Sequence, residues 1–330
     1  MEPTGRANRE ITCVCILFFN LFYGAANEVP CCSIPVQGIN VPYLNVKIEG
    51  NNYSLLFDIG STHPLMLKQH VIDTLVHKKS VEEGSSTNFR GESVRIAKYL
   101  LPAITIETER FADVIVGVEP PGFSNSCELS PRTKGPEKSS CDQLDGSFGS
   151  SLLQSYVCLF DFANARLRLY KEPPSIDFAK FIVVPLEVCK GGLFLLSMDI
   201  DLGLKQFVLD TGASGSLLRK SLLSDIKQME RERVVKILSE ERILYLNSKT
   251  ALNRQNLGPQ IFYLFEFGKG CEDIDGILGM DFFAGRQIYI DFPSRKAYVQ
   301  MPKQSWWGKL RSFFVRKYTF SDKSNVDFKR

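Results

Sequence analysis

Two short strings carry the chemistry in this chain of 330 residues: Asp58-Ile59-Gly60-Ser61 and Asp210-Thr211-Gly212-Ala213. Each sets a carboxylate at the end of an apolar run, Leu55-Leu56-Phe57 in the first and Phe207-Val208-Leu209 in the second. The apolar run buries a strand, and the glycine permits a tight turn with close backbone approach. A single Asp-x-Gly says little, because aspartate also caps tight turns. Two copies related by a repeat say more. Carboxylates about 3 Å apart cannot both ionise easily, so they share a proton. One can then act as base on a water while the other protonates a carbonyl oxygen. Such a pair hydrolyses an amide without a covalent intermediate, and it calls for no cofactor and no metal. The three histidines, His63, His70 and His77, and the adjacent Cys31-Cys32 do not form a zinc-ligand pattern.

The repeat is visible by inspection. Residues 55–68 (LLFDIGSTHPLMLK) resemble residues 207–220 (FVLDTGASGSLLRK) at a shift of 152, pairing Asp58 with Asp210, Gly60 with Gly212, Leu65 with Leu217 and Lys68 with Lys220. Asp145-Gly146-Ser147-Phe148-Gly149 matches Asp275-Gly276-Ile277-Leu278-Gly279 at a shift of 130. The same shift carries Phe160-Asp161-Phe162 onto Ile290-Asp291-Phe292. The difference, 152 − 130 = 22 residues, is extra length in the first half, placed at residues 119–142, a Pro-, Gly- and Ser-rich stretch that reads as an inserted loop.

The organisation follows. A first lobe covers 34–172, a linker 173–180 begins at Pro173-Pro174, and a second lobe covers 181–302. Both lobes read as strands, at 41–49, 53–58, 181–187, 206–210, 260–267 and 287–291 among others. A helix is expected over 220–242, where Leu222, Ile226, Met229, Arg233 and Ile237 have helical spacing, with a counterpart over 68–77. The fold class is mainly β: two pseudo-symmetric β-rich lobes with short helices. A pseudo-two-fold axis between such lobes would bring Asp58 and Asp210 together.

These residues carry a resemblance to the retropepsin-like and pepsin-like aspartic peptidases, nearest to bacterial retropepsin-like aspartyl proteases. Those carry Asp-Thr-Gly-Ala, as at residues 210–213, and Asp-Gly-Ile-Leu-Gly-Met-Asp-Phe, as at 275–282. The resemblance implies a bilobal acid-protease-like fold of β-barrel lobes and aspartic endopeptidase activity. It implies that Asp58 and Asp210 are catalytic. Gly60, Ser61, Thr211, Gly212 and Ala213 would support the catalytic loops, and Phe148, Gly149, Ile277, Leu278 and Gly279 would pack beneath them. It also implies a hairpin flap, for which residues 85–92 in lobe one and 246–253 in lobe two are the candidates. The substrate would be a polypeptide in extended conformation, held by main-chain hydrogen bonds. A two-lobed chain would work as a monomer.

Lobe one departs from the pattern. Ile59 stands where the family has Thr or Ser, whose hydroxyl braces the two loops across the interface; isoleucine can make no such bond. Ser147 replaces a hydrophobic residue. Ile59 motivates a competing reading, a catalytically inactive peptide-binding protein of the same fold; a second alternative is an enzyme active only as a homodimer through two copies of lobe two, with lobe one as a scaffold.

Residues 1–26 read as a secretory signal: Arg6 and Arg9, an apolar run at 11–23, then Gly24-Ala25-Ala26. Thirteen residues are short for a span, which needs about 20; if uncleaved, the segment would be an anchor. Export, to a periplasm or outside the cell, would permit a disulfide, with Cys127 and Cys141 as the candidate pair. Basic residues number 40 and acidic residues 37, a balance that argues against a nucleic-acid partner. Residues 303–330 hold eight Lys/Arg and two Asp/Glu, a net +6 against −3 for the remainder. With Trp306, Trp307, Phe313 and Phe314, that tail could contact an anionic membrane surface or pack on lobe two.

Overall fold

The computed structural model describes residues 29–38, 41–121, 143–175, 177–223, 234–237 and 242–301. The N-terminal segment to residue 28, Cys127, Cys141 and the basic tail lie outside these residues, as do 224–233. Among the described residues the chain is mainly β-sheet, with two short α-helices, α1 (Gln69–Thr74) and α2 (Met280–Phe283).

The strands form two sheets that repeat one plan. The smaller runs β2 (Tyr43–Ile48), β3 (Asn51–Asp58), β8 (Gly146–Gly149), β4 (Leu65–Leu67), β7 (Glu109–Val118), β6 (Ser93–Ile106), β5 (Lys79–Thr87). In the larger sheet the order is β12 (Phe194–Ile200), β13 (Gly203–Leu209), β18 (Gly276–Leu278), β14 (Leu217–Arg219), β17 (Gln255–Phe265), β16 (Arg242–Leu252), β15 (Val234–Ile237). Each arrangement curls toward closure through one further pairing, Lys47 with Thr105 and Asp199 with Ala251. The two shifts read from the sequence are both present in the registers. Leu55 pairs in parallel with Gly146, and Phe207, 152 residues on, pairs with Gly276, 130 residues on. The fold is therefore a bilobal, acid-protease-like one.

A six-stranded layer joins the lobes: β1 (Cys32–Pro35), β10 (Arg166–Tyr170), β9 (Val157–Asp161), β19 (Gln287–Asp291), β20 (Lys296–Gln300), β11 (Phe181–Val188). At its centre Leu159 lies opposite Tyr289, its own equivalent in the other half, with Val157 opposite Asp291 and Asp161 opposite Gln287. The local two-fold axis passes through that pair. One apolar cluster spans both lobes. Within it Phe57 stacks on Phe160 at 5.6 Å, and Phe160 meets Phe283 of the other half at 6.0 Å. Burying such aromatic rings is the main source of stabilisation in a β-rich fold.

The helix expected over 220–242 is not formed where the chain is described. Residues Lys220–Leu223 make one 3-10 turn, Val234–Ile237 is strand β15, and Arg242 opens strand β16. The spacing that suggested a helix there ends in β-branched Val234, Val235 and Ile237, which suit a strand pairing with β16. Its counterpart in lobe one is present as α1.

Candidate active site

Asp58 is the last residue of β3 and Asp210 directly follows β13. Each strand is buried at its last apolar residues, so each aspartate emerges from the interior at the lobe interface. Two glycines reveal how close the carboxyls come. A methyl at Gly60 would lie 2.4 Å from the Asp210 carboxyl carbon, and one at Gly212 would lie 2.6 Å from that of Asp58. Each loop thus leaves room, by lacking a Cβ, for the carboxyl of the other. The structure brings the two carboxyls to one place.

Their surroundings differ. Asp210 is buried, and its Oδ1 accepts the amides of Gly212 at 2.8 Å and Ala213 at 3.1 Å. Asp58 receives backbone amides from Gly60 and Ser61, yet its Oδ1 is buried without a hydrogen-bond partner. Burial pushes the Asp58 carboxyl well above the usual carboxylate range, and the neighbouring charge of Asp210 pushes it further. Burial also raises Asp210, against which its contact with Asp58 and the Gly212 and Ala213 amides act. The pair titrates as a unit, and its resting form retains a proton above the pH at which an isolated carboxyl loses one.

Thr211 braces the interface. Its hydroxyl donates to the Phe57 carbonyl at 2.6 Å and accepts the Ile59 amide at 3.1 Å. Ile59 offers nothing in return; its side chain is buried in the core. Beneath the loops, Phe148 and Gly149 lie on β8, and Ile277 and Leu278 lie on β18 with Gly279 just after. A methyl at Gly149 would meet the His63 carbonyl at 2.0 Å, and one at Gly279 the Gly215 carbonyl at 2.5 Å. These glycines are required by close approach. The Asp210 amide donates to the Leu278 carbonyl, and the Met280 amide to that of Ala213.

Three site features were not read from the sequence. Ser216, at the far end of the second loop, donates to Asp281 Oδ1 at 2.7 Å and accepts the Gly279 amide at 3.2 Å. Gln260 donates to Asp281 Oδ2 at 2.8 Å. Burial raises the Asp281 carboxyl to about 6, against the pull of the Ser216 hydroxyl and nearby backbone and of Arg286. Asp281 lies in the Asp-Gly-Ile-Leu-Gly-Met-Asp-Phe string, but no role attached to it there, and its lobe-one equivalent is Ser151.

Residues 85–92 form the end of the β5–β6 hairpin, and Asn88 organises its tip: its Oδ1 accepts the amides of Arg90 and Glu92, both at 3.0 Å. The other candidate flap, 246–253, is instead the end of β16 running into the β16–β17 bend. Asn253 and Arg254 there adopt left-handed conformations, as a two-residue hairpin turn requires. The histidines share no site. His70 lies 3.6 Å from Asp145, and the His77 amide donates to Glu49. His63 is half-buried, and burial, then the charge of Lys98, lowers its pKa. No group of three or more potential metal ligands clusters among the described residues.

No protein-family profile and no curated protein matches the sequence. Solved structures do match. The basic 7S globulin of soybean has a TM-score of 0.54 at 11% identity, covering 86% of this chain and 97% of its own. An aspartic proteinase from Irpex lacteus has a TM-score of 0.55 at 12% identity, covering 82% and 97%. Conglutin gamma, a basic 7S globulin from lupine seeds, has a TM-score of 0.54 at 10% identity, covering 86% and 97%. The fold is thus the pepsin-like bilobal one. Within it stand a proteinase and seed globulins alike, and identities this low speak for the fold alone.

Proposed function

We propose that the chain is an aspartic endopeptidase of the retropepsin-like kind. The observation that carries this reading is the mutual approach of the Asp58 and Asp210 carboxyls across the lobe interface, each admitted by the other loop's glycine. Both carboxyls accept two amides of their own loop, but burial and the charge of Asp210 raise Asp58 further, so Asp210 is the better holder of negative charge and acts as base on water. Asp58, with a buried oxygen that lacks a partner, holds the proton and gives it to the carbonyl oxygen of the scissile amide. The bond that breaks is C–N, the bond that forms is C–O, and the water proton passes through the dyad to the leaving amine. The substrate is an extended polypeptide, and no cofactor takes part. In this reading the chain is exported, acts as a two-lobed monomer, and its basic tail offers a contact to anionic membrane.

The test is hydrolysis of a protein substrate at acidic to neutral pH, inhibited by a pepstatin-type hydroxyl-bearing compound. Asp210→Asn should remove it; an Asn variant cleaving at the parental rate refutes the role. Because both carboxyls are raised, the high-pH limb of the rate profile should lie above the ordinary carboxylate range.

Ile59 favours a second reading, a non-catalytic peptide-binding protein. It has the missing half of the cross-lobe brace behind it, and globulins share the fold. Binding of a pepstatin-type compound without cleavage by either the parent or Ile59→Thr would select it.

A further inference from the structure

The β5 side of the β5–β6 hairpin is lightly anchored in lobe one. None of the nine residues of β5 is buried, and the pairing slips between Val81 and Gly84. Segments of this kind open most readily. Yet the hairpin's tip does not stand free. It crosses to lobe two and is held there by three contacts.

The Phe89 carbonyl accepts the Gly268 amide at 2.9 Å. The Phe89 ring sets edge-on against Phe267, 6.1 Å between centroids at 84°. The Arg90 guanidinium lies 5.9 Å from the centre of the Phe265 ring. The fit leaves no room for side chains: a methyl on Gly268 would lie 1.9 Å from the Arg90 carbonyl, and one on Gly91 would lie 2.8 Å from the Lys269 nitrogen.

The lobe-two side is built and stiff. Arg219 lies over Phe267 at 5.0 Å and donates to the carbonyls of Cys271 and Ile274, so the segment carrying Phe267 and Gly268 is held from beneath. Phe89 packs against an apolar cluster that contains Phe267, Leu195, Ile277 and Ala213. Ala213 belongs to the loop of Asp210. The seat of Phe89 is therefore continuous with the candidate active site.

We infer that Phe89 occupies, within the chain itself, a recognition site for an aromatic residue of an extended peptide: Phe267 receives the ring, and the Gly268 amide receives the peptide's carbonyl. This rests on the peptide-cleft reading above and names the substrate class. A chain passing between hairpin and lobe two must part Phe89 from Gly268. That leaves a ring face and a donor without partners, and an unmade bond at such a site is costly. A ligand that brings both a ring and a carbonyl restores what opening removed; one with a small side chain restores half. The hairpin tip thus competes with the substrate, and apparent affinity is reduced by the fraction of molecules that are closed.

The experiment uses the full chain carrying Asp210→Asn, so that bound peptide persists. Binding of a fluorescently labelled, N-acetylated octapeptide with a central phenylalanine is compared with that of the same peptide bearing alanine there. Phe89→Ala should tighten both peptides by the same factor, about tenfold, because closure hinders every ligand alike, while the phenylalanine peptide stays the tighter of the two in parent and variant. Asn88→Ala, which loosens the tip but keeps Phe89, should give a smaller gain in the same direction. In both variants hydrogen exchange at the Gly268 amide should quicken without peptide and slow again when the phenylalanine peptide binds. Equal binding of the two peptides, or no gain on removing Phe89, overturns the inference. Cleavage of a protein substrate by the parent chain is scored separately. Cleavage without aromatic preference sinks this inference alone. Aromatic preference without cleavage leaves it standing and sinks the proteolytic reading.

Discussion

The loop after Asp210 and the loop after Asp58 descend from one pattern and are no longer equally built. Thr211 serves both loops, donating to Phe57 and accepting from Ile59, whereas Ile59 serves neither. The far end of the Asp210 loop is tied down through Ser216, Asp281 and Gln260. The lobe-one equivalents of Ser216 and Asp281 are Pro64 and Ser151, and the Ser151 hydroxyl is buried without a partner. Lobe one compensates elsewhere: Ser150 donates to the Ser61 carbonyl from both its amide and its hydroxyl, each at 2.9 Å. What stayed symmetric is what touches the carboxyls, namely the two aspartates and the two glycines. What drifted is the bracing, which has moved almost wholly to lobe two. A pair of loops can share one brace as long as it reaches across.

The largest effects should fall where the symmetry survives. Gly60→Ala and Gly212→Ala each drive a methyl against the opposite carboxyl, and each should lower hydrolysis by at least about 10³-fold, within the range of acid–base contributions. Steady-state cleavage together with thermal melting separates this from unfolding. A large effect at only one glycine would break the comparison. Next comes Thr211→Val, which leaves the Phe57 carbonyl and the Ile59 amide buried and unpaired. It should cost about 2–4 kcal/mol of stability in a denaturant titration. No loss of midpoint would show that the single brace holds nothing.

Asp281 sharpens the contrast through pH. Its carboxyl is raised to about 6 in the folded chain, above the ordinary aspartate value of about 4. The folded state therefore binds the proton more tightly than the unfolded one. Stability from this group is fully present below about pH 4 and is lost as pH rises through about 6. Asp58 and Asp210 contribute with the same sign. Asp281→Asn should flatten that part of the fall between pH 4 and 6, measured by urea midpoints across the range. An unchanged slope would mean Asp281 does not titrate there.

The smallest effect on stability should come from Ile59→Thr. The lost apolar burial of about 1 kcal/mol is offset by about 1 kcal/mol from a restored cross-lobe bond. Its effect on cleavage is the informative one. A clear gain would show the dyad to be held back by its lopsided bracing; no cleavage in either form would favour the binding reading.

Much of this was legible before any coordinates. The paired Asp-x-Gly strings and the two shifts placed the strands that end at the two aspartates, because strand ends, glycines and apolar runs are local signals. The Ser216–Asp281–Gln260 brace was not legible. Its members are 21 to 65 residues apart, and lobe one carries no copy to draw attention to them. The helix over 220–242 misled because an apolar spacing of three to four residues was counted across Val234 and Val235, which pair with Leu244 and Tyr245 as a strand. The clasp of Phe89 on Gly268 depends on two loops 179 residues apart meeting through main-chain atoms, for which side-chain pattern gives no sign.

The middle layer, with Leu159 facing Tyr289, has a further implication. A register centred on equivalent positions is the one that two identical half-molecules would also choose. Either half made alone would bare a strand whose best complement is another copy of itself. Such a fragment should pair antiparallel with a second copy, β9 on β9 or β19 on β19, about a two-fold axis, so the tether of the full chain chiefly replaces a concentration-dependent encounter with a built-in one.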